Sequence, residues 1–266
     1  MDSLKLREIA HRIPYMFVIL NQPPEKAIAL VELCKELGVK TAAVIHHTDL
    51  HGIEFAGYVA PYLSTGGVDV VMYKSYPMGA KDLSPLLKKV QAENVDAMLA
   101  FSYPPGTMLL AKQAKAIGFN PKLFYTSIGT AFAAYREAFG ADVVEGVMGT
   151  GAWNPKVPYE GAEAFWERMV AFAGPEKVDW YGNAFCYSSV QVLQQAIEKV
   201  GKIDRVQIRD VIANETFNTV IGPVKFENQF NIQSPGEVGQ WQNGEFEIVA
   251  AKEKRTAEPI YPKPAW

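Results

Sequence analysis

Between residues 25 and 153 the chain alternates short apolar, β-branched runs with runs of helical period, each pair separated by Gly, Pro, Asn or Asp. That alternation is the pattern of βα units on a parallel sheet. The first helix spans 25–37, with Leu30, Leu33, Cys34 and Leu37 on one face and Gly38 as its stop. A strand at 41–46 leads to a helix at 52–63, which Pro61 is expected to kink or end early. Strand 68–73 is followed by a helix opened by Asp82 as N-cap, with Leu83, Leu86, Leu87 and Val90 in register. Strand 95–101 passes through Ser102, Tyr103, Pro104 and Pro105 into a helix at 107–117, closed by Gly118. A strand at 123–126, a helix at 131–139 closed by Gly140 and a strand at 144–148 complete the series.

After Trp153 the alternation breaks at Asn154-Pro155-Lys156-Val157-Pro158, and helical runs follow at 160–173, 181–200 and 206–213, a passage into a second lobe. The middle helix carries Ser189, Val192, Leu193, Ala196, Ile197 and Val200 along one side, a stripe wide enough to need a packing partner. The last section reads as β-structure, at 219–226 and then at 238–242 and 245–249 around Asn243-Gly244. Asn-Gly between two such runs marks a hairpin, because both turn positions need positive φ. The tail from Thr256, with Pro259, Pro262 and Pro264, is expected to be extended or frayed.

Composition narrows the class without naming a function. The 266 residues are 48% apolar and 21% charged, which suits a soluble globular protein with one large core or two smaller ones and excludes disordered and fibrous classes. No apolar run reaches the roughly 18–20 residues of a membrane span, and the start, Met1-Asp2-Ser3-Leu4-Lys5-Leu6-Arg7-Glu8, lacks the order of a secretion signal. A formal charge of -3 with scattered lysines gives no footprint for nucleic acid or an anionic membrane. Cys34 and Cys186 both lie in apolar, helix-like stretches and read as buried free thiols.

In an open parallel sheet, ligands sit beyond the carboxyl ends of the strands. The loops there hold His46, His47, Thr48, Asp49 and His51, then Tyr76 and Pro77, then Ser102 and Tyr103, then Thr126, Ser127 and Ile128, and finally Thr150, Gly151 and Trp153. The set is hydroxyls, aromatics and amides with one carboxylate. No spacing gives a nucleophile with an oriented base, a phosphate loop or a dinucleotide fingerprint. The cluster His47, Asp49 and His51 leaves three readings open: a transition-metal site, a polar loop lining a ligand, or solvated residues with Asp49 as a helix cap. No metal is expected. Tyr103 offers apolar area and one hydroxyl, suited to gripping a small organic molecule, or is a half-buried ring at a stiff turn. Trp153 reads as hinge packing, and Tyr181, Phe185 and Tyr187 as core rings of which Tyr181 or Phe185 could face a cleft.

Several segments in order resemble type I periplasmic binding proteins of the branched-chain amino acid (Leu/Ile/Val) class. They are Pro14-Tyr15-Met16-Phe17, then Lys40-Thr41-Ala42-Ala43-Val44 leading to Asp49-Leu50-His51-Gly52, then Tyr187-Ser188-Ser189-Val190-Gln191-Val192-Leu193. Thr219-Val220-Ile221-Gly222-Pro223-Val224-Lys225-Phe226 and Val238-Gly239-Gln240-Trp241 complete the set, which extends from about residue 12 to residue 250. The resemblance implies an α/β fold of parallel-sheet lobes joined by three hinge crossings. Those crossings would fall near 14–22, 153–157 and 226–230. Residues 1–21 would be a remnant of the first lobe with the first crossing, 22–152 the second lobe, 153–225 a helical return into the first, and 226–266 the third crossing with the hairpin and tail on the second. It further implies second-lobe ligand contacts from His51, from Phe101, Ser102 and Tyr103, and from Thr126, Ser127 and Ile128. His51 departs from the tyrosine often found there, and no acidic partner for an ammonium stands near Ser127, which leaves room for an aromatic or aliphatic carboxylate or an amide.

Few residues precede Pro14, where the family has a full set of βα units, so the expectation is an incomplete first lobe, weak ligand binding and self-association into a homo-oligomer through the uncovered helix stripe. The function implied is a non-enzymatic solute receptor, without cofactor, feeding the permease of an ABC transporter from the periplasm or an equivalent extracytoplasmic space. A sensory domain on the same fold, or a small α/β enzyme using the histidine loop, are the other readings.

Overall fold

The computed structural model describes residues 3–151, 153–234 and 236–266; Met1, Asp2, Pro235 and Ala152, at which the second-lobe segment was expected to end, lie outside the described residues. The helices are α1 (Ser3–Ile9), α2 (Pro23–Glu36), α3 (Leu50–Thr65), α4 (Ser84–Ala92), α5 (Pro104–Ala116), α6 (Ala133–Phe139), α7 (Ala141–Val144), α8 (Ala162–Ala173), α9 (Gly182–Val200) and α10 (Arg205–Asn214). The strands are β1 (Thr41–His47), β2 (Asp69–Tyr76), β3 (Ala97–Phe101), β4 (Leu123–Thr126), β5 (Met148–Thr150), β6 (Thr216–Thr219), β7 (Gly222–Glu227), β8 (Phe230–Asn231), β9 (Val238–Gln242) and β10 (Glu245–Ala250).

One sheet has the order β10-β9-β5-β4-β3-β1-β2, parallel from β2 to β5 and closed by the antiparallel hairpin β9–β10. Its central strands are apolar at nearly every position because both faces are covered. Alternate residues feed opposite layers: Ala43, Ile45, Met98, Ala100 and Phe124 meet Leu87, Val90, Leu110 and Ala114 of α4 and α5. Ala42, Val44, Leu99, Phe101 and Tyr125 meet Leu30, Leu33, Val59 and Leu63 of α2 and α3. The second sheet, β6-β7-β8, is antiparallel, and its inward Phe217, Val224 and Phe226 share a core with Val192 and Ala196 of α9 and Ile208 and Ile212 of α10. Val18 bridges Phe230 in parallel, so the segments before α2 and at β8 run side by side.

Several expectations are corrected. Helix α3 runs through Pro61 to Thr65, because a proline in the last turns forfeits one backbone bond while Val59 and Leu63 stay packed. Helix α5 begins at Pro104, three residues before the expected start, since prolines at the first helical positions lose only amides that have no helical partner. Asp82 lies outside α4, two residues before its start; its carboxylate accepts from the amide of Ser84, the first helical residue, at 2.9 Å. Val144 ends a short helix, and the strand expected at 144–148 is β5, starting at Met148. Of the run expected at 219–226, Thr219 ends β6 and 222–226 belong to β7, with the chain turning back between Thr219 and Gly222. The α9 stripe divides: Val192 and Ala196 are buried by this chain's own β6–β7 hairpin, while Leu193 is exposed. Cys34 is buried but Cys186 is exposed. The tail is pinned, with the Lys263 amide donating to Lys122 O at 2.7 Å and Trp266 Nε1 to Phe119 O at 2.8 Å.

Candidate functional site

The carboxyl ends of β1, β3 and β4 are tied into one platform. After β1, the Asp49 carboxylate accepts from the Gly52 amide at 2.8 Å and caps α3, which fixes Leu50 and His51 in its first turn. Gly52 is needed there because a Cβ would stand 2.5 Å from the His47 carbonyl oxygen. After β3, Ser102 Oγ lies 2.6 Å from Thr107 Oγ1, whose hydroxyl donates to Ile128 O at 2.7 Å. The Ile128 amide in turn donates to Ser102 O at 3.0 Å, so the β3 and β4 loops hold each other in place.

On this platform His51 stacks on Tyr103, ring centroids 4.8 Å apart and planes 26° apart, and its Nε2 is 3.3 Å from Ser127 Oγ. An open cleft of about 580 Å³ lies above, walled by His51, Tyr103, Ile128 and Tyr181 and completed by Asn21, Lys26 and Phe55. That volume, with rings set beside the polar side chains of Asn21, Gln22, Lys26, Asp49 and Glu54, suits a small organic molecule with both apolar and polar parts. Of the nine residues singled out in the sequence, His51, Tyr103, Ile128 and Tyr181 line the cleft. Phe101, Ser102, Thr126 and Ser127 are fully buried beneath it, and Phe185 is buried behind Tyr181 at a ring distance of 5.7 Å. Ser127 still acts on the wall through its bond to His51. Lys26 and Phe55 escaped the sequence analysis because both sit at helical core spacing, where a pattern gives no sign that a neighbouring loop leaves one end of the side chain open. A larger surface groove, about 740 Å³, is formed by residues 155–167 alone and lies off the strand ends.

The histidine cluster does not converge. His46 Nδ1 is 2.6 Å from the His47 carbonyl oxygen, the Tyr103 amide donates to His47 Nδ1 at 3.3 Å, and His51 faces Ser127. Among the described residues no group of three or more His, Cys, Asp or Glu side chains could hold a metal.

Burial, reinforced by the positive charge of Lys26 and opposed by Asp49, pushes the His51 imidazole down to about 4. Burial lowers His47 as well. Both rings are therefore neutral at pH 7. Because the folded value of His51 lies below the ordinary ~6.5, the unfolded chain takes up a proton first as pH falls. The neutral ring's full contribution is present above about pH 6.5 and is lost progressively down to about 4. Relative to wild type, His51→Gln should therefore gain on the order of 1–3 kcal/mol between pH 7.5 and pH 4. Urea melts of both proteins at the two pH values check this; a difference that does not move with pH would mean the ring protonates freely in the fold.

The family model described as "Periplasmic binding protein" matches residues 10–245. The leucine-, isoleucine-, valine-, threonine- and alanine-binding protein of Pseudomonas aeruginosa is 25% identical over 198 residues, 73% of this chain and 51% of that protein. The Leu/Ile/Val/Thr-binding protein of Salmonella typhimurium is 26% identical over 216 residues, 80% of this chain and 56% of its own length. The chain thus spans about half the length of the curated relatives it matches. Among solved structures, a leucine-binding protein of Thermotoga maritima superposes with a TM-score of 0.74 at 24% identity, over 88% of this chain and 67% of that one. A Rhodopseudomonas palustris ABC-transporter solute-binding protein in complex with benzoate gives a TM-score of 0.74 at 15% identity, over 89% of this chain and 65% of that one.

Proposed function

This chain belongs to the periplasmic binding protein family, and from that premise we propose that it is a solute-binding receptor for a small organic molecule, gripped by His51, Tyr103, Ile128 and Tyr181 at the carboxyl ends of the parallel strands. The observation that carries the proposal is the stacked His51–Tyr103 pair, held by three interlocked loops on the floor of an open cleft. Rings fixed in this way present apolar area with little entropy left to lose on binding. In this proposal residues 22–152 and 226–266 form the lobe that carries the cleft, and 153–225 the segment returning to the other lobe. The receptor acts outside the cytoplasm and hands its ligand to the permease of an ABC-type importer, binding without turnover. Relatives named for leucine, isoleucine, valine, threonine and alanine support a ligand of amino-acid size, and the benzoate-bound neighbour supports a planar carboxylate. Val190 and Leu193, exposed on α9, are the surface through which two copies would associate, and light scattering at micromolar concentration reads that association.

Tyr103→Ala tests the cleft. Removing the ring that stacks on His51, together with its hydroxyl, should weaken the ligand that binds best by about 1–3 kcal/mol in a calorimetric titration. Affinity within twofold of wild type would place the site elsewhere.

A further inference from the structure

We infer that the receptor takes an anionic ligand whose carboxylate is met by Lys26, at the end of the first turn of α2, while the ligand's body lies against the His51–Tyr103 stack; this rests on the receptor function proposed above. Lys26 is only 8% exposed, yet it belongs to the cleft wall. Its Nζ stands 5.8 Å from the ring centroids of both Phe55 and Tyr181, so the ammonium sits between two aromatic rings at the cleft wall. Among the described residues no carboxylate lies within ion-pair distance of it. A cation withdrawn from water is stabilised only when a counter-charge or strong acceptor reaches it, and two rings at the limit of cation–π reach supply a small part of that.

Two carboxylates share the cleft wall with it, Asp49, whose Oδ1 accepts from the Gly52 amide, and Glu54, which has a partner of its own; among the described residues neither forms an ion pair with Lys26, and Arg7 lies 3.9 Å from Glu25, the residue before Lys26 on α2. His51 across the cleft is held neutral in part by the charge of Lys26 itself. The position is built rather than incidental: Gly236 lies flat on α2, where a Cβ would meet the Glu25 carbonyl oxygen at 2.4 Å and Lys26 Cα at 2.5 Å. The pairing of a sequestered ammonium with a stacked ring floor fits a ligand with a carboxylate at one end and a planar or branched apolar body at the other.

The test uses matched pairs with one body and two charges: benzoate with benzamide, 4-methylpentanoate with its amide, and leucine with leucinamide, titrated by ligand-observed NMR at low salt. In the pair that binds, the carboxylate should exceed the amide by at least tenfold, and the advantage should shrink as salt rises. Lys26→Met should abolish that advantage without weakening the amide, and Lys26→Arg should keep most of it, with unchanged melting temperatures as the control for folding. An amide that binds as well as its acid, or an acid preference that survives Lys26→Met, overturns the assignment of Lys26 and leaves the receptor standing. Binding of none of the six overturns both.

Discussion

Replacing Trp241 by alanine is expected to destabilise the protein by about 3–5 kcal/mol, the range for emptying a fully buried indole site. Trp241 is fully buried in β9, paired with Phe246 across the hairpin, and its Nε1 donates to Thr130 O at 2.8 Å. Its ring meets Phe246 at 5.2 Å and Trp180 at 6.3 Å, and Trp180 lies 4.6 Å from Trp166, which is 6.1 Å from Trp153. This line of indoles joins the seven-stranded sheet to α8, and Trp180 immediately precedes the cleft residue Tyr181. The loss should therefore fall toward the upper end of that range and should reach ligand affinity as well. Trp241→Phe keeps most of the ring but leaves the Thr130 carbonyl without its donor, so an intermediate loss of about 1–2 kcal/mol is expected. Urea melts read both, and a loss below 1 kcal/mol for the alanine variant would show that the indole line carries little of the fold.

The βα series was legible in the sequence because strands buried on both faces and one-sided helices leave different periods, and Gly or Pro punctuates them. What the pattern could not give was which end of a helix a proline would occupy. Pro104 and Pro105 read as loop residues, but they start α5 and so bring Tyr103 to its N-cap, within a hydrogen bond of His47. His51, Tyr103 and Ile128, which line the cleft, lie in the loops to which the strand-end rule points and which the family resemblance singled out as contacts. Phe101 and Thr126 end β3 and β4, and Ser102 and Ser127 follow them at once, and strand alternation and local hydrogen bonds bury all four beneath the cleft. Lys26 could not be found that way. It lies on a helix before the first strand, and only the tertiary approach of Gly236 and Tyr181 makes that turn part of the cleft.

The position of Tyr181 depends on a glycine one strand away, and Gly151→Ala should show it. Gly151 has φ +74°, a left-handed conformation that alanine adopts at an expense of about 1 kcal/mol, and an added Cβ would stand 2.3 Å and 2.4 Å from Cδ2 and Cε2 of the Tyr181 ring. The backbone of Tyr181 cannot yield easily. Asp179 Oδ1 accepts from the amides of Tyr181 and Gly182, and the Trp153 amide donates to Trp180 O at 2.8 Å. The ring must therefore swing from its seat at the cleft edge. Together the two effects should destabilise Gly151→Ala by about 2–4 kcal/mol and weaken ligand binding as much as Tyr181→Ala does. The double variant separates the causes: with Tyr181 already truncated the added methyl has nothing to strike, and only the roughly 1 kcal/mol for the left-handed backbone should persist. A coupling of about 1–3 kcal/mol in urea melts of the four proteins is the expected result. Strict additivity would mean that Gly151 is there for its backbone alone and that the tyrosine finds its place in the cleft wall without it.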